Sequence, residues 1–319
     1  MRLRGRGVCR TPATEIFRVQ GKRRVLTLRI KTNQTMELYP INAGFFKLDG
    51  GAMFGVVPKM MWNKVNPADP NNMCTWAMRC LLVVDGDRRI LIDTGMGTKQ
   101  DEKFFGHYFP HGDESIEKNL AKYGFTSADI TDVFLTHLHF DHCGGAIRRE
   151  GDRLVPAFEN ATYWSNPKHW ESATAPNERE KASFLKENIL PIMECGKLKM
   201  VDTPDGGEWM PGIDIYYVNG HTESMMLPCI KFGNRRVLFC ADLVPSVPHI
   251  SMPWVMAYDM RPLVTLDEKR RLLAMAQKED WLLYFEHDPV NECCSLEMTD
   301  RGIKCGKTTT LAAENTSAK

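Results

Sequence analysis

The sequence predicts a mixed α/β domain. Short apolar runs with strand character recur along its 319 residues, and four of them stop at a histidine or an aspartate. Segments with helix signals alternate with these runs. One loop, Thr136–Gly145, gathers three imidazoles and a carboxylate within six positions, which marks where the chemistry lies.

In chain order, Leu81–Val84 and Arg89–Ile92 flank Asp85-Gly86-Asp87, a hairpin signal. Residues 115 to 123 read as a helix stopped by Gly124. Asp132–Thr136 reads as a short buried strand. Residues 178 to 189 carry many charges and few apolar side chains, so they read as a surface helix. Ile213–Val218, Arg236–Ala241 and Trp281–Glu286 read as further strands. Thr265-Leu266-Asp267-Glu268 has the spacing of a capping box and opens a helix to about Lys278. The expected organisation is a basic extension over 1–35, a folded domain over 36–304, and a polar tail over 305–319. That tail is rich in Thr and Ala and is expected to be disordered.

The cluster is His137-Leu138-His139-Phe140-Asp141-His142, followed by Cys143, Gly144 and Gly145. Core packing does not ask for such a set, whereas zinc, manganese and iron are held by neutral imidazole and carboxylate. The chain has only nine histidines, so three in six positions are not expected from chance. On an extended segment His137 and His139 point to one side. Asp141 and His142 lie past the bend and can face a second ion. Gly144 and Gly145 permit a tight turn and close approach to the metals. The loop cannot complete two coordination shells alone. His221, Asp242 and His287 each follow a strand, where the other reading is a turn former or helix cap.

The order His-x-His-x-Asp-His, then a lone histidine, an aspartate and a last histidine resembles the metallo-β-lactamase superfamily, over about Leu38 to Arg301. The resemblance implies a four-layer αβ/βα sandwich, two mixed sheets face to face with helices outside. It implies His137, His139 and His221 on one metal, Asp141, His142 and His287 on another, and Asp242 as the bridge. Asp93, in Ile92-Asp93-Thr94-Gly95, matches an early Asp-x-Gly turn that orients ligands. Two divalent ions are expected. Zinc comes first, with manganese, iron or cobalt as alternatives.

Within the superfamily, Asp242 argues against zinc β-lactamases that use cysteine there or lack the bridge, and His139 argues against flavo-diiron proteins. Glyoxalase II adds a helical domain, for which the 32 residues after His287 leave no room. RNA-processing members usually carry an added module, and none is visible between Asp242 and His287. Gly50–Lys59, Trp62, Ala241–Pro245, Pro253-Trp254 and Tyr258-Asp259 are similar to the branch of acyl-homoserine-lactone lactonases and methyl-parathion-hydrolase-type enzymes. Those lactonases place a tyrosine three residues after the bridging aspartate. Here the residue is Pro245, and Tyr258 is either its substitute or a buried structural tyrosine.

The expected reaction is hydrolysis. Two metals lower the pKa of a shared water, and a metal takes the charge that develops on the carbonyl or phosphoryl oxygen. Asp141 and Asp242 are the expected catalytic carboxylates, with Asp141 passing the proton to the leaving group. Tyr258 is the third catalytic candidate. Met53, Phe54, Trp62, Phe140 and Trp254 are expected to line the substrate pocket, with Met252 and Met256 near them; the other reading for each is ordinary core. The expected substrate is a lactone or ester of a small apolar molecule. A phosphotriester or aryl ester is the nearest alternative, and a nuclease using the basic arm is a more distant one.

Net charge is +1, so no strong overall field steers nucleic acid or membrane. Residues 1–34 hold ten Lys/Arg and one acid, without a long apolar run. They read as neither a secretory signal nor a membrane span. None of the ten cysteines has Cys-x-x-Cys spacing, so a zinc knuckle is not expected. Many unpaired thiols fit a reducing cytoplasm. The expected partner is a small-molecule substrate, with no nucleic acid and no membrane. A homodimer stays open, since family members are often dimers and Gly50–Trp62 suits a dimer contact as well as a pocket wall.

Overall fold

On the second strand, buried along most of its length, side chains alternate between two faces and so divide the fold into layers. The strands, in chain order, are β1 (Glu37–Asp49), β2 (Met73–Asp85), β3 (Arg88–Ile92), β4 (Asp132–Phe134), β5 (Ile147–Glu150), β6 (Arg153–Pro156), β7 (Thr162–Ser165) and β8 (Leu198–Met200). Then come β9 (Gly207–Met210), β10 (Ile213–Val218), β11 (Met225–Phe232), β12 (Arg235–Phe239), β13 (Leu282–Tyr284), β14 (Cys293–Thr299) and β15 (Gly302–Thr309). On β2, Leu81 and Val83 pack with Ile215, Leu227 and Leu238 of the other sheet. Cys80 and Leu82 point the opposite way, onto Ile116, Leu120, Ile189 and Ile192 from helices. A period of two thus sends one set to the space between sheets and the other to the outer helical layer.

The computed structural model describes residues 36–317; the basic extension expected over 1–35 lies outside them. Among the described residues one sheet has the order β1-β2-β3-β4-β7-β8 and the other β15-β14-β13-β12-β11-β10-β9. Both are mixed: β3, β4, β7 and β8 run parallel, as do β12 and β13, while the remaining pairs are antiparallel. The β2–β3 hairpin turns at Gly86, where φ is +59°. This is the four-layer sandwich that the resemblance implied. Among the described residues no helix is long and apolar enough to cross a membrane.

Three expectations need correction. The helix expected over 178–189 is Lys186–Glu194, because residues 178–183 form turns. There the Asn177 side chain accepts the Arg179 and Glu180 amides, and Glu180 is buried rather than displayed. Thr265 is not a cap, since the helix Pro262–Lys278 has already begun. Its hydroxyl donates to Asp259, and Glu268 accepts the Asn219 and Gly220 amides. From Cys305 to Ser317 the tail is structured. It completes β15, the edge strand on β14, and continues into a helix over Leu311–Ser317 with Leu311 buried. Polar composition misled here because an edge strand has one partner and needs few apolar side chains.

Parallel pairing brings the ends of β3 and β4 to one edge, and likewise β12 and β13. β10 runs with β12 because two antiparallel steps separate them. Backbone bonds join the two sheets there, from Met226 N to Thr136 O (2.9 Å) and from Arg79 N to Glu286 O (3.0 Å). The loops that leave these strand ends carry the histidines and aspartates.

Candidate metal centre

His137 and His139 leave β4 in extended backbone. The chain then turns into the short helix Phe140–Cys143, which carries Asp141 and His142. Gly144 and Gly145 act differently from expectation: they press on the Asp93 turn rather than on the ion-facing side chains. A Cβ on Gly144 would lie 2.1 Å from Met96 O, and one on Gly145 2.1 Å from Thr94 O. Asp93 itself sits at φ +57° and accepts the Thr136 amide (2.8 Å) and hydroxyl (2.6 Å).

Seven side chains predicted from sequence converge at this edge, in two groups whose ligand-type atoms lie within 4.8 Å of one another. One is His137, His139, His221 and Asp242; the other is Asp141, His142 and His287. His139 Nδ1 is 3.1 Å from His137 Nε2 and 3.1 Å from His221 Nε2. His142 Nε2 is 3.1 Å from His287 Nε2. Asp242 Oδ2 is 3.1 Å from His221 Nε2, and its Oδ1 is 3.1 Å from His287 Nε2.

The far nitrogens are all engaged, which sets the tautomers. His142 Nδ1 donates to Asp93 (3.1 Å), His287 Nδ1 to Ala77 O (2.8 Å) and His221 Nδ1 to Asp259 (3.0 Å). His139 Nε2 donates to Glu180 (3.2 Å), and His137 Nδ1 to Thr136 (3.1 Å). Each imidazole therefore turns a bare lone pair inward. Bare nitrogens 3.1 Å apart repel unless a cation lies between them. Ligands about 2.0–2.1 Å from a tetrahedral ion are separated by about this distance. Asp242 Oδ1 is also buried without a hydrogen-bond partner. The donor set fits divalent metal.

Electrostatics agree. Burial lowers the His137 pKa well below the usual value, and neighbouring imidazoles add to that. For His221, burial is outweighed by Asp242 and Asp259, and the pKa rises. For His287, burial is again outweighed, chiefly by Asp242, and the value reaches about 9. Burial would raise Asp242, but His287, His221 and His142 hold it well below the carboxylate range. This is a place where carboxylates demand positive charge. Glu286 lies behind it, 3.0 Å from His142 Nδ1, with neither oxygen hydrogen-bonded. Burial pushes its pKa up to about 8, against the opposing pull of His142.

A cavity of about 350 Å³ opens onto these side chains. Met53, Phe140, Met256 and Tyr258 line it. Phe54, Trp62 and Trp254 do not. Phe54 and Trp62 are buried and stacked behind the wall (5.4 Å), Trp254 meets Phe54 edge-on (5.6 Å), and His249 stacks on Phe54 (5.0 Å). Their loops do approach the cleft, but large rings are worth more packed together than in water. Pro245 itself carries no hydroxyl; its carbonyl accepts the His287 amide. Sequence reasoning missed Tyr108, Arg179, Glu180 and Met260 on the cavity wall. Glu180 lies 41 positions from His139, and no local spacing links them.

The superfamily profile described as metallo-beta-lactamase matches residues 79–287, most of the chain and every residue of the two groups. The chain belongs to the metallo-β-lactamase superfamily. It is a hydrolase of that superfamily. An N-acyl homoserine lactonase of Bacillus thuringiensis is 25% identical over 265 residues, 79% of this chain and 93% of the relative. A probable metal-dependent hydrolase from Staphylococcus aureus superposes with a TM-score of 0.78 at 28% identity, covering 86% of this chain and 97% of the other. An N-acyl homoserine lactone hydrolase, solved with N-hexanoyl-L-homoserine at its catalytic metal centre, gives 0.62 at 25% identity, covering 80% and 95%.

Proposed function

We propose that this metallo-β-lactamase superfamily hydrolase opens a lactone or ester of a small apolar molecule, with acyl-homoserine lactones as the first substrates to test. One observation carries the reading: two groups of inward-facing ligand atoms joined by Asp242 at the floor of a cavity walled by Leu48, Met53, Phe140 and Met256. His137, His139 and His221 would hold one divalent ion and Asp141, His142 and His287 the other, with Asp242 within reach of both groups. Zinc suits the imidazole-carboxylate set, with manganese, iron or cobalt as alternatives. When bound, such ions act as Lewis acids that activate water and take developing charge from an acyl oxygen.

The protein's own groups do the rest. Asp141 faces the cavity and is placed to accept a proton and return it to the leaving alkoxide. Burial, first, and the nearby Asp141 charge raise the Tyr258 phenol, so it stays a donor at neutral pH. Its hydroxyl takes the role that Pro245 cannot supply, steadying the substrate carbonyl. Phe140, Met53 and Met256 exclude water from the acyl part. The similarity to N-acyl homoserine lactonases supports this substrate class.

The test is ring opening of a long-chain acyl-homoserine lactone by zinc-loaded protein, followed by mass spectrometry, with Asp141→Asn as control. Opening that disappears in the control establishes a lactonase. No opening by metal-replete protein transfers the reading to aryl esters and phosphotriesters.

A further inference from the structure

Two cavities meet at Arg179. The first is the one above the metal centre. The second, about 300 Å³, is lined by Ser172, Asn177, Glu223 and Arg261. Arg179, Glu180 and Met260 line both. The wall changes character at this junction. On the catalytic side it is largely apolar; beyond Met260 its side chains are polar or charged.

Most charges at the junction are already engaged. Glu180 accepts from the Thr222 hydroxyl, from His139 (3.2 Å) and from Asn177 (3.3 Å). Arg261 pairs with Glu223 (2.7 Å). Arg179 has no carboxylate partner among the described residues. Its Nη2 donates to Ala257 O, which holds the guanidinium beside Tyr258 and leaves its other donors free. Where the two cavities share residues, the wall therefore carries a guanidinium with no carboxylate in ion-pair reach, beside polar side chains. A plain alkyl end seated there would strip water from Arg179 and return no hydrogen bond. A carboxylate would accept from the guanidinium fork.

We infer that Arg179 is a specificity-determining residue that selects esters or lactones whose end remote from the scissile carbonyl carries a carboxylate. The inference rests on the proposed hydrolase reading and names its substrate class.

Calorimetric titration of full-length, zinc-loaded protein tests it with two probes of equal length. Octanohydroxamate ends in a methyl group, and suberic acid monohydroxamate ends in a carboxylate. The hydroxamate anchors both at the metal centre. At low ionic strength wild-type protein should bind the carboxylate-ended probe about fivefold more tightly, the scale of a solvent-facing ion pair. Salt should erode that preference. Arg179→Gln keeps a donor for Ala257 and should abolish the preference, changing octanohydroxamate affinity by less than about twofold. Arg179→Lys should retain most of it. Equal binding of the probes by wild type, or a preference that survives Arg179→Gln, overturns this inference alone. Binding of neither probe overturns the metal-centre reading and this inference with it.

Discussion

Asp242 and His287 meet on a single oxygen. The Oδ1 atom of Asp242 lies 3.1 Å from His287 Nε2 and has no hydrogen bond, while Oδ2 faces His221 at 3.1 Å. One carboxylate thus touches both ligand groups. Asp242→Ala should reduce bound zinc from two ions to one and lower turnover by about a hundredfold or more. Metal content by mass spectrometry, beside kcat, checks this. Full turnover with one ion would rule out a dinuclear mechanism.

Asp259 never reaches the cavity floor, yet it orients His221 through Nδ1 at 3.0 Å and also accepts the Thr265 hydroxyl at 2.7 Å. Asp259→Asn keeps the shape and removes the charge. Zinc affinity should fall about 10- to 100-fold with the fold intact. Competition against a chromophoric chelator measures the affinity, and circular dichroism the fold.

Tyr258 is 37% exposed, and its hydroxyl makes no hydrogen bond among the described residues. Removing that hydroxyl should therefore leave the melting temperature unchanged. Tyr258→Phe should lower kcat for a lactone by about tenfold if the hydroxyl steadies the carbonyl. An unchanged rate would make Tyr258 a wall residue only.

His249 supplies a pH prediction. It is buried between Ser246 Oγ (2.6 Å) and Met53 O (2.9 Å), and burial lowers its pKa to about 3. Unfolded, it titrates near 6.5. Between these values the unfolded chain binds a proton that the folded one refuses, so stability falls as pH drops from about 6.5 towards 3. At about pH 5 this loss is about 2 kcal/mol. His249→Gln should flatten the acid limb of stability by that order. Urea unfolding of both proteins from pH 7 to 5 decides it, and equal slopes would refute the assignment.

The ligand-type side chains were legible because their chemistry is local. Imidazoles two residues apart on extended chain share a side, and a histidine or aspartate just past an apolar run sits at a strand end. Hairpin pairing around Gly86 was legible for the same reason, since a tight turn is written in adjacent residues. The pocket was not legible. Met53 and Phe54 are neighbours of similar character, yet one lines the cavity and the other stacks between Trp62 and His249. Hydrophobicity ranks them alike, and only the packing of distant segments separates them.

From residue order alone came the mixed α/β class and the seven ligand-type side chains of the metal edge. Folding settled which partners hold those ligands in place. Glu180 reaches His139 across 41 positions, Asp259 reaches His221 across 38, and Ala77 O reaches His287 across 210. A carboxylate or carbonyl far away in sequence carries no signature of the imidazole it will orient. That relation exists once two sheets have packed and their loops share one edge.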